Sequence, residues 1–210
     1  MNVASSLLVA LTIFVIAGTA SNADELAVNL AMEDQFQNRC DTAALRGHVV
    51  VLVYSGRHGA EAAVELGRTL HTHYHPSATD AEPAERAKQP VIGIAGWPTG
   101  VAVPNVHVIP VACVPEVPKM LRGLVRSQIR KGSPHLPVWL DYEDAMRKGF
   151  GIVPNEPNVL LLDTAGVARG VTVGQPDAAK YAELLASIDS LRASALPTLR
   201  TAAVPLPAVQ

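Results

Sequence analysis

The chain has 210 residues, 49% of them hydrophobic and 17% charged, enough to bury one core of ordinary size and too few for two large ones. Its formal net charge of -2 gives no electrostatic reason to expect DNA or RNA as a partner. Two cysteines, Cys40 and Cys113, lie far apart and form no metal or C-x-x-C spacing, which leaves three readings: inert buried thiols, a structural bridge, or one reactive thiol.

Residues 3–20 (VASSLLVALTIFVIAGTA) carry no charge and are followed by small residues suited to cleavage. Residues 1–23 therefore read as a secretory signal peptide or, if retained, as a membrane anchor near the lower length limit of about 18 residues, with a buried helix as the third option. Either of the first two places the domain outside the cytoplasm, periplasmic or secreted.

Residues 24–38 are mixed, with a polar turn at 35–38, and residues 40–47 predict a short helical turn ended by glycine. Residues 48–54 (HVVVLVY) are almost continuously apolar and β-branched, the pattern of a strand covered on both faces. Residues 55–59 (SGRHG) break that strand, and 60–73 predict a helix with Ala63, Leu66, Leu70 and Tyr74 on one face. An insertion near 75–105 opens with a polar stretch at 75–89; two apolar runs follow, 91–97 and 106–114, of which the second is the better central strand. Residues 119–131 predict a helix whose buried stripe is Met120, Leu121, Leu124, Val125 and Ile129, with Lys119, Arg122, Arg126 and Arg130 as a solvated basic face. A strand at 137–140, a helical turn at 142–148, a strand at 158–163, a turn at 164–166 and a strand at 167–173 lead to a closing helix at 176–191. Its stripe is Tyr181, Leu184, Leu185, Ile188 and Leu191. The domain is expected to span 24–192, and residues 193–210, rich in proline and alanine, read as a flexible tail.

The alternation of strands and helices gives an α/β class. Three segments sharpen it: LRGHVVVLVY at 45–54, VWLD at 138–141 followed by FGI at 150–152, and EPNVLLLDTAG at 156–166. In order and spacing they resemble the redoxin branch of the thioredoxin-like superfamily, which includes peroxiredoxin-like and periplasmic thiol-disulfide proteins. The resemblance implies a thioredoxin-like fold, a central mixed β-sheet flanked by helices, and a cis bond between Glu156 and Pro157. Where that family carries C-x-x-C, this chain has His58-Gly59-Ala60-Glu61, and the P-x-x-x-T-x-x-C pattern is also absent. Thiol-disulfide exchange needs an accessible thiolate and a resolving thiol, so no catalytic residue and no dithiol activity are carried over.

What remains is a candidate binding edge of Tyr54, Arg57, His58, Glu61, Glu156 and Pro157. In redoxins this edge presents backbone groups to an extended chain, so the resemblance implies a protein or peptide partner. A solvated loop, with Glu61 complementing the helix dipole, is the plainer alternative. Two rival functions are an atypical oxidoreductase or peroxidase-like enzyme using Cys113 or Cys40 alone, and a metal-binding accessory protein. For the latter, His71, His73 and His75 alternate near a helix end, but only His71 and His75 share a helical face, and no metal or other cofactor is expected.

Overall fold

The computed structural model describes residues 27–196; residues 1–23, read above as a signal peptide or anchor, and the last fourteen residues lie outside them. The first element is a hairpin that the mixed composition of residues 24–38 does not announce: β1 (Ala31–Asp34) pairs antiparallel with β2 (Arg39–Asp41). Its turn is built by one side chain. Asp34 is buried, and its carboxylate accepts from the backbone N–H of Phe36 and Asn38 at 2.8 and 2.9 Å and from the Asn38 amide at 2.9 Å.

The central strand, β3 (Val49–Ser55), is buried at every residue, as its unbroken apolar run requires. Helix α1 (Ala60–Tyr74) follows and buries Ala63, Leu66, Leu70 and Tyr74, the face its spacing predicts. After the insertion come β4 (Val106–Cys113), α2 (Arg122–Gly132), β5 (Trp139–Asp141), α3 (Ala145–Phe150), β6 (Asn158–Leu162), β7 (Ala168–Val173) and α4 (Ala178–Ala193). The sheet order is β2-β1-β5-β4-β3-β6-β7. Strands β3, β4 and β5 run parallel, whereas β1, β6 and β7 are antiparallel to their neighbours, so the sheet is mixed as expected. Alternate residues of β3 feed two cores. Val49, Val51 and Val53 pack with α1 and with Leu184 and Ile188 of α4, while Val50, Leu52 and Tyr54 pack with Leu30, Met32, Trp139 and Met146.

The insertion contains two short 3-10 turns, Pro76–Thr79 and Arg86–Lys88, and no strand at 91–97. The insertion is tied down by two buried side chains, His75 and Arg192. His75, 2% exposed, places Nδ1 2.8 Å from the Gln89 carbonyl and Nε2 3.0 Å from that of Val106. Arg192, 1% exposed, donates to the Pro104 and Ile92 carbonyls at 3.2 and 2.6 Å. The fold also runs past the expected limit at 192, since Ala195 is buried.

Helix α2 is turned by part of a revolution from the expected orientation, so that its half-buried face combines Val125 and Ile129 of the expected stripe with Arg122 and Arg126. None of its residues is buried, and Met120, Leu121 and Leu124 are exposed. Arg122 and Arg126 are half-buried, whereas Lys119 and Arg130 remain exposed. The Arg122 guanidinium lies 4.1 Å from the Tyr142 ring centre and 3.6 Å from the Glu143 carboxylate; Arg126 stands 3.9 Å from Glu33; Arg130 donates to the Gln35 carbonyl at 2.8 Å. The hairpin supplies Glu33 and Gln35 as polar docking points. Gln35, fully buried, also donates to the Ser133 and Leu136 carbonyls and accepts from Val138 N–H, fastening the chain after α2.

Candidate functional site

The loop from β3 to α1 and the loop before β6 meet at the ends of these two neighbouring strands. Gly59 is the contact: a Cβ there would lie 2.7 Å from both the Glu156 nitrogen and carbonyl oxygen, so only glycine admits the two backbones at this distance. Arg57, His58 and Glu61 flank this contact and are exposed, and no side-chain hydrogen bond or ion pair engages them among the described residues. Glu61 lies in the first turn of α1, where a carboxylate complements the helix dipole.

Two members of the predicted edge are placed differently. Tyr54 is fully buried; its hydroxyl donates to the Gly151 carbonyl at 2.9 Å, and burial, with a smaller effect from nearby Cys113, pushes its pKa up to about 12. It supports the loop from beneath and presents nothing to solvent. Pro157 is likewise buried. The Glu156–Pro157 bond is trans, since the described residues contain no cis peptide. One residue earlier, Asn155 lies in the left-handed region at φ 69°. The X-Pro bond thus has the isomer that such bonds ordinarily prefer.

The sequence reading missed the residue that organises this loop. Asn158 is fully buried at the start of β6; its Oδ1 accepts from Val153 N–H at 2.9 Å and Gly174 N–H at 3.3 Å, and its Nδ2 donates to the carbonyls of Glu156 and Tyr54 at 3.2 and 3.3 Å. One amide thus joins β3, β6 and the loops at 153–156 and 174. The available signal was an asparagine opening an otherwise apolar run, NVLLL. The Glu156 carboxylate accepts from Gln175 N–H at 2.8 Å, which leaves it exposed but fixed.

Both thiols are free and half-buried. Cys113 ends β4, one step beyond the Ser55–Ala112 pair, and Cys40 is on β2, at the far end of the sheet order, so no bridge links them. Burial, then the charges of Asp141 and Asp144, push the Cys113 pKa up to about 12. Burial and Asp34 also raise that of Cys40. Asp141 cannot move aside, because its carboxylate caps α3 by accepting from Ala145 and Met146 N–H at 2.9 and 2.8 Å. A rise from 9.0 to about 12 cuts the thiolate fraction at neutral pH by roughly a thousandfold. Cys113 in the folded chain is therefore expected to resist iodoacetamide at pH 7 and to react at an ordinary rate after denaturation, read by mass spectrometry. Native-state labelling as fast as that of an unstructured thiol would show the acidic surroundings to be misjudged.

His71, His73 and His75 are not gathered into one group of potential metal ligands among the described residues. His71 and His75 stack at 4.5 Å, but Nε2 of His71 lies 3.1 Å from the Arg86 carbonyl and both nitrogens of His75 face carbonyl oxygens. No group of three or more potential ligands converges among the described residues.

No family model and no curated protein matches the sequence. Solved structures do match. A thiol-disulfide isomerase from Corynebacterium glutamicum is 20% identical, with a TM-score of 0.50 over 80% of this chain and 97% of its own. A candidate thiol:disulfide interchange protein DsbE from Chlorobium tepidum is 15% identical, with a TM-score of 0.50 over 79% of this chain and 94% of its own. At these identities the likeness establishes the fold, which is thioredoxin-like.

Proposed function

We propose that this chain is an extracytoplasmic redoxin-like domain that holds a protein or peptide partner at the loop edge and does not exchange disulfides. The observation that carries the reading is the approach of Gly59 to the Glu156 backbone. It preserves a close junction between the α1 start and the loop before β6, while Arg57, His58 and Glu61 stand exposed beside it. A cation, an imidazole and a carboxylate on one short segment suit an extended polar chain better than a redox couple. The apolar segment at 3–20 supports export.

The single-thiol enzyme is the weaker reading, because both sulfurs sit where burial and carboxylates suppress the thiolate. Insulin reduction by the purified protein is expected to stay at background, and cysteine-dependent turnover would restore the oxidoreductase. The binding role is tested by replacing Arg57, His58 and Glu61 together with alanine. Capture of a native extracytoplasmic partner is expected to weaken by about tenfold or more, as loss of a contact hot spot does, while the melting temperature holds. Unchanged capture of every partner would sink the edge as a site, and a large loss of thermal stability would make these residues loop supports.

A further inference from the structure

Residues 117–140 stand apart from the rest of the chain in charge. They include Lys119, Arg122, Arg126, Arg130 and Lys131 and no Asp or Glu, although the whole chain carries a net charge of -2. Arg122 and Arg126 are engaged from within the domain, at 3.6 Å from Glu143 and 3.9 Å from Glu33. Lys119, Arg130 and Lys131 are exposed and make no ion pair among the described residues. The same face is apolar at its start. Met120, Leu121 and Leu124 are 89%, 46% and 61% exposed, on the first turn of α2 and the 3-10 turn Lys119–Leu121 that leads into it. Met120, Leu124 and Lys131 follow at steps of four and seven residues, so they share one line along the helix, with exposed Ser127 and Gln128 beside it. Large apolar side chains grouped in water mark a surface that meets something else.

The geometry points to an anionic phospholipid surface as the occupant of this face: α2 lies along the bilayer interface, with Met120, Leu121 and Leu124 below the headgroups and Lys119, Arg130 and Lys131 among the phosphates. The face needs an apolar phase and a layer of anions side by side. The headgroup boundary of an anionic bilayer supplies both within about 5–10 Å of depth. Protein interfaces are anchored by Trp, Tyr and Arg and are depleted in Lys, whereas this face is anchored by Met and Leu and two of its three unpaired cations are lysines. A lysine stem can lie along the acyl boundary while its ammonium stays at the headgroups. Three side chains enter too little apolar surface to hold the domain alone, and each cation near an anionic surface adds about fivefold, so docking requires both parts and weakens in salt.

The test places a fluorescent reporter on the face and another away from it. Leu124→Trp stands at the centre of the face, and Val173→Trp replaces an exposed residue of β7, at the other end of the sheet from the hairpin that α2 contacts. The full-length chain carrying either is mixed with vesicles of phosphatidylcholine alone or with phosphatidylglycerol added, both with brominated acyl chains, and the signal is compared with that of the parent. A retained 3–20 segment would hold the chain on both kinds of vesicle, so the local reporter is read rather than bulk binding. The reporter at 124 is expected to be blue-shifted and quenched only where phosphatidylglycerol is present and to recover in raised salt, while that at 173 stays unquenched. Lys119→Gln with Lys131→Gln is expected to weaken docking by about twentyfold. Absence of quenching at 124 overturns the proposal and leaves an acidic protein as the occupant. Equal quenching on uncharged vesicles overturns it, as does equal quenching at 173 or quenching that the two lysine replacements leave unchanged.

Discussion

Arg192→Met is expected to lower the unfolding free energy by about 3 kcal/mol, measured by urea denaturation. The side chain is 1% exposed, and its guanidinium donates to the Pro104 and Ile92 carbonyls while lying 3.8 Å from Asp189 and 5.5 Å from the Tyr74 ring centre. Hydrogen bonds from charged donors contribute about 1.5–3 kcal/mol each, and two buried carbonyls left unpaired add a desolvation cost. The sum falls short of full additivity because methionine refills much of the apolar volume. Loss should be largest at the insertion, where Ile92 N–H also donates to the Tyr74 carbonyl at 2.8 Å, so hydrogen exchange at Ile92 should accelerate first. Arg192→Lys should recover only part of the loss, because one ammonium cannot reproduce a planar fork aimed at two carbonyls. A change below about 1 kcal/mol for the methionine variant would mean the insertion is held by other contacts.

Arg192 also shows where reading the sequence stopped short. The strands at 49–55 and 158–162 and the buried faces of α1 and α4 follow from apolar periodicity, because each packs by burying side chains. Features held by polar contacts were misread or missed. Arg192 ends a helix where a solvated cation is the ordinary expectation, and its acceptors lie 88 and 100 residues earlier. The orientation of α2 depends on Glu33 and Gln35, which belong to a hairpin set by Asp34 and not by alternation. The site divides in the same way. That the α1 start lies opposite the loop before β6 is what the family resemblance implies, whereas it gives no sign of the left-handed Asn155 or of the buried network of Asn158. Neither leaves a periodic trace.

The edge itself can be probed at its narrowest point. Gly59→Ala is expected to destabilise the domain by about 2–3 kcal/mol, in the range of overpacking a close contact. Backbone conformation is not the reason, since φ -88° and ψ 1° suit alanine. The cause is steric. The new methyl would stand 2.7 Å from the Glu156 nitrogen and oxygen and 2.9 Å from its carbonyl carbon, so one of two backbones must move. The start of α1 is set by β3 directly before it. The opposing loop is pinned by the Asn158 amide to the Glu156 carbonyl and by Gln175 N–H on the Glu156 carboxylate. Gly56→Ala supplies the control, because a Cβ there meets nothing within 4 Å and should change stability by less than about 0.5 kcal/mol. If the two variants melt together, the junction between α1 and Glu156 is not the close contact on which the binding edge depends. If Gly59→Ala alone loses stability and also accelerates hydrogen exchange at Val153 and Gln175, the strain has passed into the loop that would hold the partner.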